Sequence, residues 1–463
     1  YRVSQYPEYD SAPYTYSGDN VMEHFFDYLM EENRSVARIL GRNVPMMPLT
    51  DDQLKQYQDT VRCPSCGCGF TSDNRKVRHH DHVTGRFKNA LCNNCNLQFK
   101  YSKQRGSSND DVEVCDSYFI LVVAHNMKGY DSHHIIKNYR KRFVEYTDKD
   151  GNICHSGIDH VIPSNTEKFI SFSIGKLRFV DSFQFLTSSL DNLTSVLLQS
   201  GRDRFPNTIK HFGDRDVVFR KGVFPYEFFD GPSKFDETEL PPKSAFHSNL
   251  NETDISDEDY ASAQDAWRTF NCRTFRDYHD HYMTADVLLL ADIFENFRKI
   301  ALTNFGLDPA HYYTLPGLAW DACLKMTGVQ LSLISDPDMH LFIENNIRGG
   351  ISMISSRYAK ANNEHLIGET VDETQPKSFI QYLDMNNLYG SSMSFFKLPV
   401  SDFKFWPEDQ AKKGLDVTQL TADSETGYIL EVDLEYPSEL HHIHNSYPVA
   451  PERLTVTDDM LSP

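Results

Sequence analysis

Four cysteines in two C-x2-C pairs, Cys63/Cys66 and Cys92/Cys95, carry the most specific chemical signal in this sequence. A tetrahedral thiolate site needs two tight turns, each presenting two sulfurs, and this spacing supplies them for a structural Zn2+. Cys68 is a spare, as ready to be a neighbour as a ligand. Three carboxylates invite a different chemistry. Asp131 follows the apolar run "YFILVVA" and the turn "HNMKGY", which puts it near a strand's carboxyl end. Tyr282 and Asp286 stand at i and i+4, one turn apart on one helix face. Phosphodiester hydrolysis by two metals needs carboxylates to hold Mg2+ or Mn2+ and a polar group to orient water. Asp131, Asp286 and Tyr282 suit those jobs. Asp384 closes the apolar run "FIQYL" before the turn "MNNLYG", where backbone N–H groups can face a triphosphate.

The elements that must position these groups read as mixed α/β. Val21, Phe25, Leu29, Val36 and Leu40 fit helical spacing over 21–40, with Asn20 and Glu23 as a capping box. "YFILVVA" reads as a strand, "SHHIIKNYRKRF" as a charged helix, and "FISFSIGKLRFVDSF" as a hairpin turning at Ile174-Gly175. "SSLDNLTSVLLQ" reads as helical, and "DYHDHYMTADVLLLADIFENFRK" is the strongest helical pattern in the chain. Asp230 to Asp259, rich in Pro, Ser and acids, reads as a surface excursion, loop or disordered. Strands and helices are expected to alternate from there to the end. The expected class is layered α/β.

Length allows two or three domains. The apolar run near Phe119–Ala124 falls far short of the roughly 20 residues that span a bilayer, so no membrane partner is expected. Paired cysteines point to metal in a reducing, intracellular compartment, the nucleus included. The net charge of −20 argues against a generic nucleic-acid binder, yet Arg75, Lys76, Arg78, Arg86, Lys88, Lys100 and Lys103 make a local basic excess.

Taken together and in order, "AHNMKGYDS", "HYMTADVLLL" and "FIQYLDMNNLYG" resemble the second and third exonuclease motifs and motif A of family B DNA polymerases. The resemblance implies a ribonuclease-H-like 3′–5′ exonuclease with Asp131, Asp286 and Tyr282 catalytic. It also implies the start of a palm, with Asp384 holding Mg2+ or Mn2+ and Leu388 and Tyr389 beneath the incoming nucleotide. Here Asn387 replaces the usual Ser of motif A, and Gly390 the usual Pro. His125, Asn126 and Tyr130 would touch a single-stranded 3′ end. "SSLDNL" resembles the S-L-x2-apolar string of the protein-primed branch at Ser189 and Leu190, and "KGVF" at Lys221 a lysine motif of that branch. "NNIRGG" resembles the linker between exonuclease and polymerase halves, with Arg348, Gly349 and Gly350 facing DNA. The segment "VRHHDHVTGRFKNALCNNCN" is similar to the recombination endonuclease VII type of ββα-metal module, in which His79, His80 and Asn96 would form the nuclease site. The group that the chain resembles is the type B polymerases of Polinton-like elements and adintoviruses, where such a zinc segment interrupts the exonuclease.

The resulting expectation is an internal piece of a DNA polymerase. Residues 1–60 form the N-terminal part of the exonuclease domain, 61–105 the zinc insertion, 106–305 the exonuclease, 306–375 a connector and 376–463 the start of the palm. Partners would be a DNA primer–template, a single-stranded 3′ end and deoxynucleoside triphosphates; use of a terminal protein as primer stays open. No D-x-E strand stands before Asp131 and no D-T-D hairpin follows Asp384, so both are expected outside Tyr1–Pro463. The piece alone is expected neither to polymerise nor to proofread efficiently. The rival reading is a zinc-dependent nucleic-acid-binding protein whose endonuclease VII-like site cuts.

Overall fold

Phe26 and Met30, one turn apart, give helix α1 (Val21–Gly41) the apolar stripe by which it docks. The capping box expected there does not form. Asn20 sits at a left-handed φ of 57° with no side-chain cap hydrogen bond. A true capping box opens α2 (Asp51–Asp59), where Thr50 and Gln53 bond reciprocally. In this computed structural model Tyr1–Thr327 and Gly328–Pro463 form separate units, dividing inside the span read as a connector. The structure describes all residues except 5–6, 99–102, 106–112, 116–117, 140–144, 148–152, 156, 166, 348–351, 355, 367, 369, 408–409, 411–412, 445, 447–448, 450–454 and 461–463.

After α2 comes an antiparallel hairpin, β1 (Lys76–His80) and β2 (Phe87–Cys92), followed at once by α3 (Asn93–Gln98). A short ladder joins β3 (Lys103–Arg105) to β4 (Glu113–Cys115). The apolar run then forms β5 (Ile120–Ala124), which leads through a tight turn into α4 (Asp131–Asn138). A second short ladder pairs β6 (Glu145–Thr147) with β7 (Ile153–His155). The remaining strands are β8 (Ile158–Pro163), β9 (Phe169–Ile174) and β10 (Leu177–Asp181). Their sheet runs β5-β10-β9-β8, with β5 and β10 parallel and the other pairs antiparallel. Gly175, at φ 58°, turns the β9–β10 hairpin as the sequence suggested.

Alternation along the strands builds a layer on each face. Ile120, Val122, Phe172 and Phe179 pack with Phe26 and Met30 of α1 and Ile135 of α4. The Phe172 and Phe179 rings stack across the β9–β10 pair at 4.7 Å. Leu121, Val123 and Val180 point the other way, to Phe294 and Phe297. Both phenylalanines belong to α8 (Phe275–Phe305), preceded by α5 (Leu190–Gln199), α6 (Pro206–Phe212) and α7 (Asp257–Thr269). A strand covered on both faces reads as an unbroken apolar run, which is why "ILVVA" carries no visible alternation.

Helix α8 spans about 46 Å at 1.5 Å per residue and serves several cores along its length. Leu288, Leu289 and Ile293 pack with α5 and α6, while Phe275 and Tyr278 pack with α7 and Phe246. Asp292, almost fully buried, accepts hydrogen bonds from the backbone N–H groups and the side chains of Asn207 and Thr208 at 2.7–3.0 Å, which pins the start of α6. The segment from Asp230 to Asp259 is not a free excursion. Phe235 and Phe246 are buried in 3-10 turns, so a polar-looking stretch is anchored by two rings.

α9 (Leu315–Thr327) completes the first unit. The second unit holds α10 (Pro337–Asn345), α11 (Leu388–Phe395) and a short α12 (Ser438–His441). The expected alternation of strands and helices is not found there. Among the described residues after Thr327 there is no strand, and Asn362–Ser378 forms an isolated bridge.

Candidate functional site

The sulfurs of Cys63, Cys66, Cys92 and Cys95 converge, all within 4.8 Å of one another, and Cys66 Sγ lies 3.8 Å from Cys92 Sγ. Four thiolates around Zn2+ at about 2.3 Å make a tetrahedron with edges of about 3.8 Å, so the donor set fits zinc in chemistry and size. The Cys95 N–H points at Cys92 Sγ at 3.5 Å and, ahead of any opposing effect of burial, holds the Cys92 thiol below its usual range. Cys68 lies outside the cluster. The hairpin and α3 have the ββα order, and His79 Nδ1 lies 3.0 Å from Asn96 Oδ1. His80, across a ladder irregularity from His79, instead packs its ring against His82 at 4.5 Å. Among the described residues these side chains belong to no ligand cluster of three or more histidines, cysteines or carboxylates.

A second site forms on α8. Tyr282 and Asp286 share a face, as i, i+4 spacing requires, and interact directly. Burial pushes the Asp286 carboxyl up to about 6, against the opposing pull of the Lys221 ammonium and the Tyr282 hydroxyl. Its Oδ1 is buried and has no hydrogen-bond partner. Such an oxygen, in a protein that hydrogen-bonds almost all its buried polar atoms, fits a site for a divalent cation. Burial, then Asp286, then Tyr226 drive the Tyr282 hydroxyl far above its usual pKa, so it stays a neutral donor. Tyr226 Oη lies 2.8 Å from Tyr282 Oη, and Phe224 lies against the same ring at 5.2 Å. Gly222 makes room for it: a Cβ there would meet Tyr282 Cδ2 at 2.8 Å.

Asp131 opens α4 just past the carboxyl end of β5. Its carboxyl is raised above the usual range by burial first, and then by Asp181, the residue that ends β10. Around Asp131 and Asp286, the described residues supply no group of three ligands within 4.8 Å. Asp384 contrasts with both. The strand expected to deliver it is absent: residues 379–385 form no ladder, and Tyr382 is 93% exposed. A strand exists only when paired, and among the described residues of this unit no strand stands ready to pair. The corner itself is present. Asn387, at φ 52°, starts α11, which carries Leu388 and Tyr389 as exposed side chains.

Residues 116–460, most of the 463-residue chain, match the family described as DNA polymerase type B, organellar and viral. The chain belongs to that family. Neither a curated protein nor a solved structure gives a match. Membership implies DNA-directed DNA synthesis, with a DNA template and deoxynucleoside triphosphates as partners and divalent metal ions as cofactors. The matched span of this type B polymerase takes in Asp131, Tyr282, Asp286 and Asp384 and leaves out the cysteine cluster.

Several residues expected to touch DNA have other employment in the polymerase. His125 lies 2.9 Å from Ser182 Oγ through Nδ1 and 2.9 Å from the Ser188 carbonyl through Nε2, so its ring nitrogens hold the turn to β10 and the loop before α5. Ser189 caps α5, accepting from Asn192 N–H at 3.2 Å, and Leu190 is buried in the core beside α8. A cap and a core position are the structural roles of that string. Asn126 and Tyr130 are exposed, Tyr130 by 68%. Arg348, Gly349 and Gly350 lie outside the described residues. Sequence reasoning missed Tyr226 and Asp181. Asp181 had a readable signal, an acid closing the apolar strand "LRFV" just as other acids close theirs. Tyr226 had none, since its contact joins residues 56 apart in the chain.

Proposed function

We propose that the first unit carries the 3′–5′ exonuclease of a type B polymerase on a ribonuclease-H-like sheet, interrupted by a zinc-stapled hairpin, and that Asp384 belongs to the start of the palm. The group is the protein-primed one of Polinton-like elements and adintoviruses. Asp131 and Asp286 hold the metal ions of a two-metal phosphodiesterase, which supply Lewis acidity and a water nucleophile when bound. Tyr282, kept protonated by burial, orients the water once a cation holds the Asp286 carboxylate and the single Tyr282 O–H can turn from it to the water. Lys221 balances the charge of Asp286, and Tyr130 offers a ring on which a terminal base stacks. The observation that carries the reading is the unpartnered, buried Oδ1 of Asp286 beside Tyr282, on a chain of this family.

Asp384, Leu388 and Tyr389 would take their places beneath a nucleotide once strands pair with residues 379–385. Among the described residues no such strand is present. Primer extension with Mg2+ and deoxynucleoside triphosphates tests this: no extension is expected from these residues alone, and robust synthesis would overturn it. The cysteine hairpin is read as a Zn2+ staple with a basic surface for DNA. His79 and Asn96, two of the three residues of the expected nuclease site, meet at 3.0 Å, while His80 packs on His82 instead; the family match is what favours the polymerase reading over a cutting zinc protein.

A further inference from the structure

The turn that carries Asp131 is tied down by a carboxylate that takes no part in the proposed chemistry. Asp181 is fully buried, and its register partner across the parallel pair is Ala124, the last residue of β5. Its Oδ2 accepts the Lys128 N–H at 3.0 Å, and its Oδ1 accepts the Phe183 N–H at 3.0 Å. Both oxygens are therefore engaged by backbone, and among the described residues Asp181 belongs to no cluster of three metal-ligating groups. Two further ties reach the same turn: Met127 is fully buried in the core between the sheet and α1, and His125 contacts Ser182. Lys128, three residues before Asp131, is held by Asp181 alone among these. A carboxylate at the end of a core strand, its burial offset by two backbone N–H bonds, ties the 125–130 turn to β10 in a way that no apolar residue could.

We propose that Asp181 is a positioning residue, a buried anionic latch that fixes the 125–130 turn so that Tyr130 and Asp131 face a single-stranded 3′ end. The inference rests on reading Asp131 as an exonuclease carboxylate. Charge-assisted bonds from two backbone amides give the latch its stiffness. Loss of such support displaces the groups it holds, and misplacement of about 1 Å costs on the order of a hundredfold in an active site.

The test uses the full chain and Asp181→Asn, in which an amide NH2 faces one of the two backbone donors. Hydrogen exchange is followed in peptides covering 125–131 and, as control, β9. Binding is followed by quenching of a 2-aminopurine at the 3′ terminus of an oligonucleotide, against one bearing the probe internally and a blocked 3′ end. The expected result is at least about tenfold faster exchange in 125–131 with β9 unchanged, and about tenfold weaker 3′-end binding, the loss typical of removing a supporting contact. Unchanged exchange overturns the latch. Faster exchange with unchanged 3′-end binding shows a structural role only and overturns the positioning claim. If the parent chain has no preference for a free 3′ end, the exonuclease reading fails, and the positioning claim falls with it; exchange then still decides whether the latch exists. Should D181N not fold, Asp181→Ser, which removes the charge without wedging a second donor against the amide, is read in the same way.

Discussion

Asp286 is held where its charge is costly. An ordinary carboxyl titrates near 3.8, and this one near 6, so the folded protein binds the proton more tightly than the unfolded chain does. Stability therefore falls as pH rises through that window, and above it the penalty is complete, on the order of 2–3 kcal/mol. Asp286→Asn removes the penalty. In thermal melts without metal the variant is expected to be more stable than the parent at pH 8, with the difference vanishing below about pH 3.8, where the carboxyl is protonated in both states. Mn2+ at pH 8 should raise the parent's melting temperature and leave the variant's unchanged. A parent equally stable at both pH values relative to D286N contradicts the buried charge. The pairing of Tyr282 with Asp286 was legible because helical spacing alone fixes it. Lys221 and Tyr226 reach the same site from a loop, and only the fold decides where that loop lies. A serine before a helix looks alike whether it caps or binds, so the cap that Ser189 makes could not be told from the string "SSLDNL" alone.

Among the elements, the ββα hairpin depends on its sulfurs. The cluster of Cys63, Leu91, Cys92 and Cys95, with Phe70 and Val77 packed against it, is too small a core to hold a hairpin without a staple. One Zn2+ per chain is expected by elemental analysis. Cys92→Ser should abolish it and open residues 63–98 to proteolysis, whereas Cys68→Ser should retain it; zinc lost in C68S would contradict the four-cysteine assignment. The docking of α6 makes a separate demand. Asp292→Ala leaves four donors of Asn207 and Thr208 without their acceptor, which should cost at least about 3 kcal/mol in urea unfolding of the first unit. A loss below about 1 kcal/mol would show that water replaces the carboxylate. Helices α1, α5 and α8 and the β9–β10 hairpin could be read ahead of the structure because local periodicity and turn chemistry determine them. The segment from Asp230 to Asp259 is largely loop, as its composition suggests, but that composition hides the two rings, Phe235 and Phe246, that anchor it. The strand before Asp384 was misjudged because a strand is a property of its partner as much as of its own residues.

The molecule as a whole combines a net charge of −20 with a local basic stretch, and a polymerase family with two units of unlike order. In the first unit, sheet and helices bring acids to strand ends and to one helix face. In the second, a motif that resembles a polymerase corner stands on exposed chain. Binding of single-stranded DNA should accordingly be weak and steeply salt-dependent, carried by a few basic side chains against an acidic background. Fluorescence anisotropy at 50 and 200 mM salt checks this, and an affinity indifferent to salt would contradict it. The central claim is that Asp131 and Asp286 share one metal site. Anomalous diffraction from crystals of the chain soaked in Mn2+ measures that directly. The account predicts manganese bound by both carboxylates. Manganese on one of them with the other more than about 10 Å away, too far for a shared two-ion site, would contradict it.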